Sequence, residues 1–145
     1  TDEIAYLRLR GFRIAMQDAG VPVREEWILH ATADLEGGYR AAFALLSMQQ
    51  RPDAVICGSN LLAFSLYQVA TKQGLVIPDD MALITFDRYS IVLDPLPSFV
   101  QIDVHDLGRT AGAMMLRVLK RPELLGQTYA TLPQLGCNAT TPYRP

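Results

Sequence analysis

The sequence predicts an α/β fold in which helices cover both faces of a parallel sheet. Two short apolar runs, at residues 54–57 and 82–86, suit strands that are buried on both faces. Between them, apolar residues recur at helical spacing from residue 61 to residue 70. A strand, a crossover helix and a second strand of this length pair in parallel with a right-handed connection.

Cap and turn residues mark the ends of this unit. Asn60 is a favourable N-cap for the helix, and Gly74 suits the position just after its last turn. Ser59 and Asn60 follow the first strand, and Asp87 follows the second. Because parallel strands present their carboxyl ends at one edge of a sheet, we expect these three side chains to share that edge, where such sheets bind ligands.

The remaining elements follow from the same patterns. A helix opens the chain and ends at Gly20, which is suited to the left-handed position after a helix. The other predictions are a short strand at Trp27–Ala31, a helix entered at Gly37, a strand at Ser98–Ile102, a helix from Val104 to Lys120 and a last strand at Tyr129–Leu132.

The stretches PDAVICGSN and GLVIPDDMALITFD resemble the corresponding part of the LacI/GalR family of bacterial transcription regulators. The family usually has Asp where this chain has Asn60, and Gly where it has Thr85. The resemblance extends to Arg8-Leu9-Arg10-Gly11-Phe12, similar to the family's R-x-x-G-F element. It also includes the helix entered at Gly38 and the helix that contains Leu107 and Gly108.

The resemblance implies an αβα sandwich of three layers, of the periplasmic binding protein type I kind, represented mostly by its carboxyl-terminal subdomain. Residues 1–103 would form that subdomain. Residues 104–126 would supply a helix of an otherwise absent amino-terminal subdomain, and residues 127–145 a returning strand and tail. We therefore expect the chain to be a carboxyl-terminal fragment. The helix from Val104 to Lys120 would then fold back on the sheet, exchange with a neighbouring chain, or be mobile.

For the ligand site, the resemblance implies contacts from Arg8, Ser59 and Asp87. The family's strand that corresponds to residues 98–102 has the pattern T-T-V-x-Q, and its glutamine can contact the ligand. Either Gln101 or Ile102 occupies the place of that glutamine in this chain. The family commonly has an aromatic residue at the position of Ala33, and its absence makes possible a ligand that is smaller than a bare pyranose, more anionic or differently oriented.

The helix after the first strand has more apolar residues than a single buried stripe requires. In regulators of this family, that helix and the loop after the aspartate form the subunit contact. The matching positions are Phe64, Tyr67 and Val92, which implies a homodimer. The alternative is that Phe64 and Tyr67 both turn inward within one chain.

Composition narrows the functional classes. The net charge of −2 argues against a nucleic-acid-binding surface in this chain, so DNA would be bound only by an absent amino-terminal head. The two cysteines, Cys57 and Cys137, are too few for a disulfide framework. Neither His30 nor His105 belongs to a metal-binding or catalytic motif. We predict no cofactor, no metal and no enzymatic activity.

The favoured function is effector sensing and dimerisation in a LacI-type regulator of the cytoplasm. Its effector would be a sugar, sugar phosphate or sugar acid, and no membrane is involved. The alternative is a sugar-binding protein of a transport system with the same fold. An enzyme on a doubly wound sheet is a third hypothesis, which lacks an identifiable nucleophile and base.

Overall fold

A computed structural model describes residues 3–87 and 93–141 of the chain. Four helices and four strands occur among these residues, with two short 3₁₀ helices at Glu25–Trp27 and Pro122–Leu124. The helices are α1 (Glu3–Asp18), α2 (Leu35–Leu46), α3 (Asn60–Lys72) and α4 (Val104–Lys120), and the strands are β1 (Ala54–Cys57), β2 (Ala82–Phe86), β3 (Ser98–Gln101) and β4 (Gln134–Gly136).

The strands form one sheet in the order β1-β2-β3-β4. β1 pairs with β2 in parallel, β2 pairs with β3 in parallel, and β4 is antiparallel to β3. The α/β class and the parallel β1-α3-β2 unit are confirmed. Cys57 lies opposite Thr85, and Thr85 lies opposite Phe99, so the carboxyl ends of three strands meet at one edge.

One face of the sheet is covered by α2 and α3, which form the core with it. Leu83 of β2 is fully buried and belongs to the same apolar cluster as the buried residues of both helices. The cluster comprises Ala42, Leu45, Leu46, Cys57, Ala63, Leu66, Val69, Ala70, Ile77, Met81 and Leu83.

The contact between α2 and α3 requires a glycine. A Cβ atom at Gly38 would lie 2.5 Å from the Ser65 Oγ and 2.7 Å from the Ser65 Cβ. Ser65 is fully buried, and its hydroxyl donates a hydrogen bond of 3.2 Å to the carbonyl of Leu35. The two helices can approach this closely because residue 38 has no side chain.

Helix α1 approaches the sheet from the opposite face. Side chains alternate along a strand, so Phe86 of β2 points away from the face that Leu83 shares with α3. The Arg8 guanidinium of α1 lies over the Phe86 ring, 4.1 Å from its centroid. Although α1 has no buried residue, the bidentate contact of Arg13 with Glu25 ties it to the 3₁₀ helix that follows.

The predicted strand at Trp27–Ala31 is wrong. Trp27 ends a 3₁₀ helix, its indole N–H donates to the carbonyl of Gln50 over 2.8 Å, and residues 28–31 are not in a strand. A strand needs a neighbour to pair with its backbone groups. Within the described ranges, β1 is the edge strand of the sheet, and the segment 28–31 has no strand beside it.

The last strand begins further along the sequence than predicted. Residues 129–132 lie outside any strand, and β4 begins at Gln134. A Cβ at Gly136 would lie 2.3 Å from the Phe99 ring, so a larger residue opposite Phe99 would require the ring to move. Gly136 allows this close pairing of β4 with β3, and the apolar pattern of 129–132 does not reveal it.

Helix α4 has the predicted bounds, with Asp103 as its N-cap: the Asp103 carboxylate accepts a 2.9 Å hydrogen bond from the Asp106 N–H. None of its residues is buried, and Leu119 is 72% exposed. Of the three arrangements expected for this helix, folding back on the sheet is therefore not observed. No helix among residues 3–87 and 93–141 is long and apolar enough to cross a membrane.

Candidate ligand site at the carboxyl edge of the sheet

The carboxyl edge carries the polar residues that the sequence predicted there. Gly58 and Ser59 follow β1, Asp87 follows β2, and Gln101 ends β3. The backbone N–H of Asp87 donates to the carbonyl of Val100 over 2.9 Å, which fixes Asp87 beside the end of β3. Parallel pairing therefore brings these positions to one side of the sheet.

Ser59, rather than Asn60, is the N-cap of α3. The Ser59 Oγ accepts a hydrogen bond of 3.4 Å from the Leu62 N–H, and Asn60 is the first helical residue. Both residues are favourable caps, so sequence preference does not separate them. The prediction of Asn60 as the cap was one residue late, and the Ser59 hydroxyl has a structural role besides any ligand contact.

Asp87 has an unusual backbone. Its φ is +69°, the left-handed region that is uncommon for residues other than glycine, and its peptide N–H is used in the link to Val100. Such conformations concentrate at functional sites because the surrounding structure must hold them in place. The Asp87 side chain is half-buried, and no residue of the described ranges hydrogen-bonds to its carboxylate.

Arg8 reaches the same edge from α1. Its guanidinium donates a hydrogen bond of 2.7 Å to the carbonyl of Gly58 and lies on the ring of Phe86. The ion pairs of the described ranges involve other arginines, so no carboxylate neutralises Arg8 there. The edge thus has a cation and an anion that are not paired with each other.

Gln101 and Ile102 have different positions. Gln101 is the last residue of β3 and is half-buried, whereas Ile102 lies beyond the strand and is 42% exposed. Gln101 pairs with Gln134 of β4, so its backbone is fixed in the sheet. This favours Gln101 as the polar group at the end of β3. Ala33 is exposed and lies just before the Asp34 cap of α2.

Other kinds of site have less support. Burial raises the pKa of the Cys57 thiol to about 12, so this thiol is neutral at physiological pH and is a poor nucleophile. His30 and His105 are exposed and lie in different segments of the chain. Across the described ranges, no group of three or more histidine, cysteine, aspartate or glutamate side chains could hold a metal ion.

A separate cavity of about 450 Å³ lies between α4 and the segment that follows it. It does not include any of the predicted ligand residues. Its lining residues are Arg109, Thr110, Ala113, Met114, Arg117, Gln127, Thr128 and Tyr129. Arg109 is paired with Asp106 of the same helix.

The predicted interface residues on α3 are only half-buried. Phe64 and Tyr67 are both intermediate in exposure, and the Tyr67 hydroxyl donates to the carbonyl of Asp94. Tyr67 packs against the apolar core of its own chain, whereas Phe64 is not among the residues of that cluster. Val92, the third predicted interface residue, lies outside the described residues.

Two groups at this edge were not predicted as site residues: the Phe86 ring and the Gly58 carbonyl. Both contact Arg8. Phe86 directly precedes Asp87, and period-two alternation places its ring on the face opposite the α3 layer. That alternation was available in the sequence, but the position of α1 over this face was not.

Comparison with known proteins places this arrangement in a family. The model of the periplasmic binding protein-like domain matches residues 1–135. The HTH-type transcriptional repressor PurR of Yersinia pestis bv. Antiqua is 35% identical over 119 residues, which are 80% of this chain and 35% of that protein. The chain thus spans about a third of the length of the curated relatives it matches.

Solved structures give the same family. A regulatory protein of the LacI family from Chloroflexus aggregans is 27% identical with a TM-score of 0.85, over 94% of this chain and 50% of that one. A LacI family transcriptional regulator from Enterococcus faecium with bound ribose shares the fold, at 22% identity and a TM-score of 0.83, over 94% of this chain and 51% of that one. The chain belongs to the periplasmic binding protein-like domain family, and its domain is of the effector-binding type found in LacI/GalR transcriptional regulators.

Proposed function

We propose that this chain is the effector-sensing and dimerisation part of a LacI-type DNA-binding regulator of the cytoplasm. The observation that carries the proposal is the carboxyl edge, where Arg8 and Asp87 are held in fixed positions without pairing with each other. A cation and an anion held at the ligand edge of a parallel sheet are suited to binding a polar small molecule.

The effector that fits best is a small sugar or sugar derivative. The Asp87 carboxylate can accept hydrogen bonds from two neighbouring hydroxyls, while the Arg8 guanidinium and the Gln101 amide can donate to oxygens of the same molecule. Because the Ser59 hydroxyl accepts from Leu62, it retains its own proton to donate to a ligand.

The proposed regulator consists of more than this chain. The net charge of −2 does not favour DNA binding here, and operator contact is assigned to an amino-terminal helix-turn-helix head. We assign residues 1–103 to the carboxyl-terminal subdomain and α4 to the amino-terminal subdomain, which would cover its exposed apolar residues. Ligand bound between the subdomains would change their closure and hence the spacing of the DNA-binding heads.

The sequence upstream of Thr1 in the parent gene tests the class of protein. A helix-turn-helix there supports the regulator, and a secretory signal segment would support a transport-system binding protein instead. Both classes of protein would have a sugar-binding site at this edge, so the upstream sequence does not test the ligand site.

Operator release tests the regulatory function itself. A thermal-shift screen of the full-length protein with ribose, glucose, gluconate, glucose 6-phosphate and guanine selects the compound that stabilises it most. Fluorescence anisotropy then measures operator affinity with and without that compound. We expect operator affinity to change at least about fivefold, as a coupling free energy of about 1 kcal/mol or more requires. An affinity unchanged by a compound that demonstrably binds would contradict the proposal.

A further inference from the structure

Phe86 and the Gly58 carbonyl form a cradle for Arg8. The Arg8 guanidinium lies 4.1 Å from the centroid of the Phe86 ring, and one of its terminal nitrogens donates to the Gly58 carbonyl over 2.7 Å. These two contacts fix the plane of the guanidinium and its rotation within that plane. A long side chain on a helix without buried residues is thereby held in one position.

The cradle leaves the positive charge of Arg8 uncompensated. Both of its contacts are neutral, and the ion pairs within residues 3–87 and 93–141 are formed by Arg13, Arg24, Arg40 and Arg109. Stacking on an aromatic face occupies one side of the guanidinium plane but not its N–H edges. The hydrogen bond to Gly58 uses one N–H of the five, so a fork of donors remains for a bidentate partner.

We infer that Phe86 is a positioning residue for Arg8, and that together they make the effector an anionic polyol, with a carboxylate or phosphate at Arg8 and hydroxyls at Asp87. This inference rests on the proposed effector site and specifies its ligand class. A guanidinium fork matches the geometry of both kinds of oxyanion. Asp87 disfavours an anion at its own end, so the two charges also orient the ligand.

The test compares each neutral sugar with its sugar acid and its sugar phosphate. The full-length protein is titrated calorimetrically with ribose, ribonate and ribose 5-phosphate, and with glucose, gluconate and glucose 6-phosphate. We expect the best acid or phosphate to bind at least about tenfold more tightly than its neutral sugar, which is the smallest gain that a charge-assisted pair provides. Preference for the carboxylate over the phosphate, or the reverse, identifies the anion. Neutral sugars binding as tightly as their anions, or no binding by any anion, would overturn the inference.

Variants separate positioning from folding. Arg8→Gln should remove the preference for the anion, and Phe86→Leu should reduce it about twofold to fivefold, which is the scale of an exposed cation–π contact. Phe86→Tyr keeps the aromatic face and should retain the preference within about twofold. The measured quantity is the ratio of anion to neutral affinity within one variant, so a general loss of folded protein does not change it.

The outcomes also distinguish this inference from the proposed site. If Asp87→Ala weakens binding but Arg8→Gln leaves the ratio unchanged, the site stands and the anionic class is wrong. If neither substitution affects binding, the proposed site itself is wrong. If Phe86→Leu and Phe86→Tyr behave alike, Phe86 does not position Arg8.

Discussion

Gly38 is the residue on which the contact between α2 and α3 depends. A Cβ at this position would lie within 2.7 Å of two Ser65 atoms and 3.4 Å from the backbone of Leu62. We therefore expect Gly38→Ala to separate the helices and to lower the free energy of unfolding by about 1–3 kcal/mol, as overpacking does. Chemical denaturation measures this change.

Gly11 provides the matched control. It lies inside α1, and a Cβ there would meet nothing within 4 Å. Gly11→Ala should be neutral or stabilise by up to about 1 kcal/mol through helix propensity. Equal effects of the two substitutions would show that α2 and α3 do not meet at Gly38.

Asp34 links the stability of α2 to pH. Its carboxylate accepts a 2.7 Å hydrogen bond from the Gly37 N–H as the N-cap, and this bond is the main cause that lowers the pKa of Asp34 below its ordinary value of 3.8. Because the pKa of Asp34 is lower in the folded than in the unfolded protein, its ionised carboxylate stabilises the folded state above pH 3.8. This contribution to the free energy of unfolding is lost as the pH falls through the folded-state pKa.

We therefore expect Asp34→Asn to be less stable than the wild type at pH 7, since it keeps an acceptor but loses the charge. The difference in urea midpoint should shrink as the pH is lowered below 3.8. Asp53→Asn, at an exposed position before β1, is the control for replacing an exposed aspartate with asparagine. A gap between Asp34→Asn and the wild type that is constant with pH would contradict this account.

At the residue scale, the sequence predicted Ser59, Asn60 and Asp87 at one edge because parallel pairing fixes where strand ends lie, whereas Arg8 was implied by the family resemblance. It did not predict the cradle of Phe86 and the Gly58 carbonyl, since that contact depends on where α1 crosses the sheet. The choice between Ser59 and Asn60 as the cap depends on backbone geometry, and their side-chain preferences are nearly equal.

At the scale of elements, the segment after β4 secures the beginnings of β2 and β3. Thr140 is fully buried; its Oγ1 accepts a 2.8 Å hydrogen bond from the Ser98 N–H and donates to the Leu83 carbonyl. The Thr140 carbonyl accepts a 2.9 Å hydrogen bond from the Leu83 N–H. The tail thus completes the backbone hydrogen bonds of two parallel strands.

Thr140→Val keeps the shape of the side chain but removes its hydroxyl. We expect it to destabilise the protein by about 1–3 kcal/mol, because the buried N–H of Ser98 and carbonyl of Leu83 lose a partner. Thr128→Val, at an exposed position, is the matched control and should change stability by less than about 0.5 kcal/mol. Equal midpoints for the two variants in chemical denaturation would show that the tail is not part of the folded sheet.

Elements defined by local signals were predicted well. The bounds of α4, β1 and β2 follow from caps, apolar runs and turns within a few residues of each end. The prediction of a strand at 27–31 was wrong because a strand needs a neighbouring strand to pair with, and this segment has none within the described ranges. The prediction of a strand at 129–132 was wrong because residues 134–136 pair with β3 instead, and the local apolar pattern does not encode which residues pair.

At the scale of the whole molecule, the half-buried Phe64 of α3 supports the proposed dimer, whereas Tyr67 packs against the core of its own chain. A twofold interface places the same patch on both partners, so one substitution counts twice. We expect Phe64→Asp to convert a dimer into a folded monomer in sedimentation velocity. Gln68→Asp, on the same helix and also half-buried, is a charge-matched control that should have a smaller effect.

Circular dichroism distinguishes the outcomes. If the Phe64→Asp variant unfolds, the Phe64 ring belongs to the core of one chain. A wild type that stays monomeric at high concentration would contradict the proposed interface. Val92→Asp should weaken the dimer less than Phe64→Asp does.

The most direct test of the account is calorimetric titration of the full-length protein with the compound that stabilises it most in the thermal-shift screen. Asp87→Ala removes the carboxylate at the carboxyl edge, and Asp53→Ala removes an exposed carboxylate before β1, at the opposite edge. We predict that Asp87→Ala weakens binding at least about tenfold, as the loss of a charge-assisted hydrogen bond requires, and that Asp53→Ala binds as the wild type does. Wild-type affinity in Asp87→Ala would contradict the assignment of the effector site to this edge.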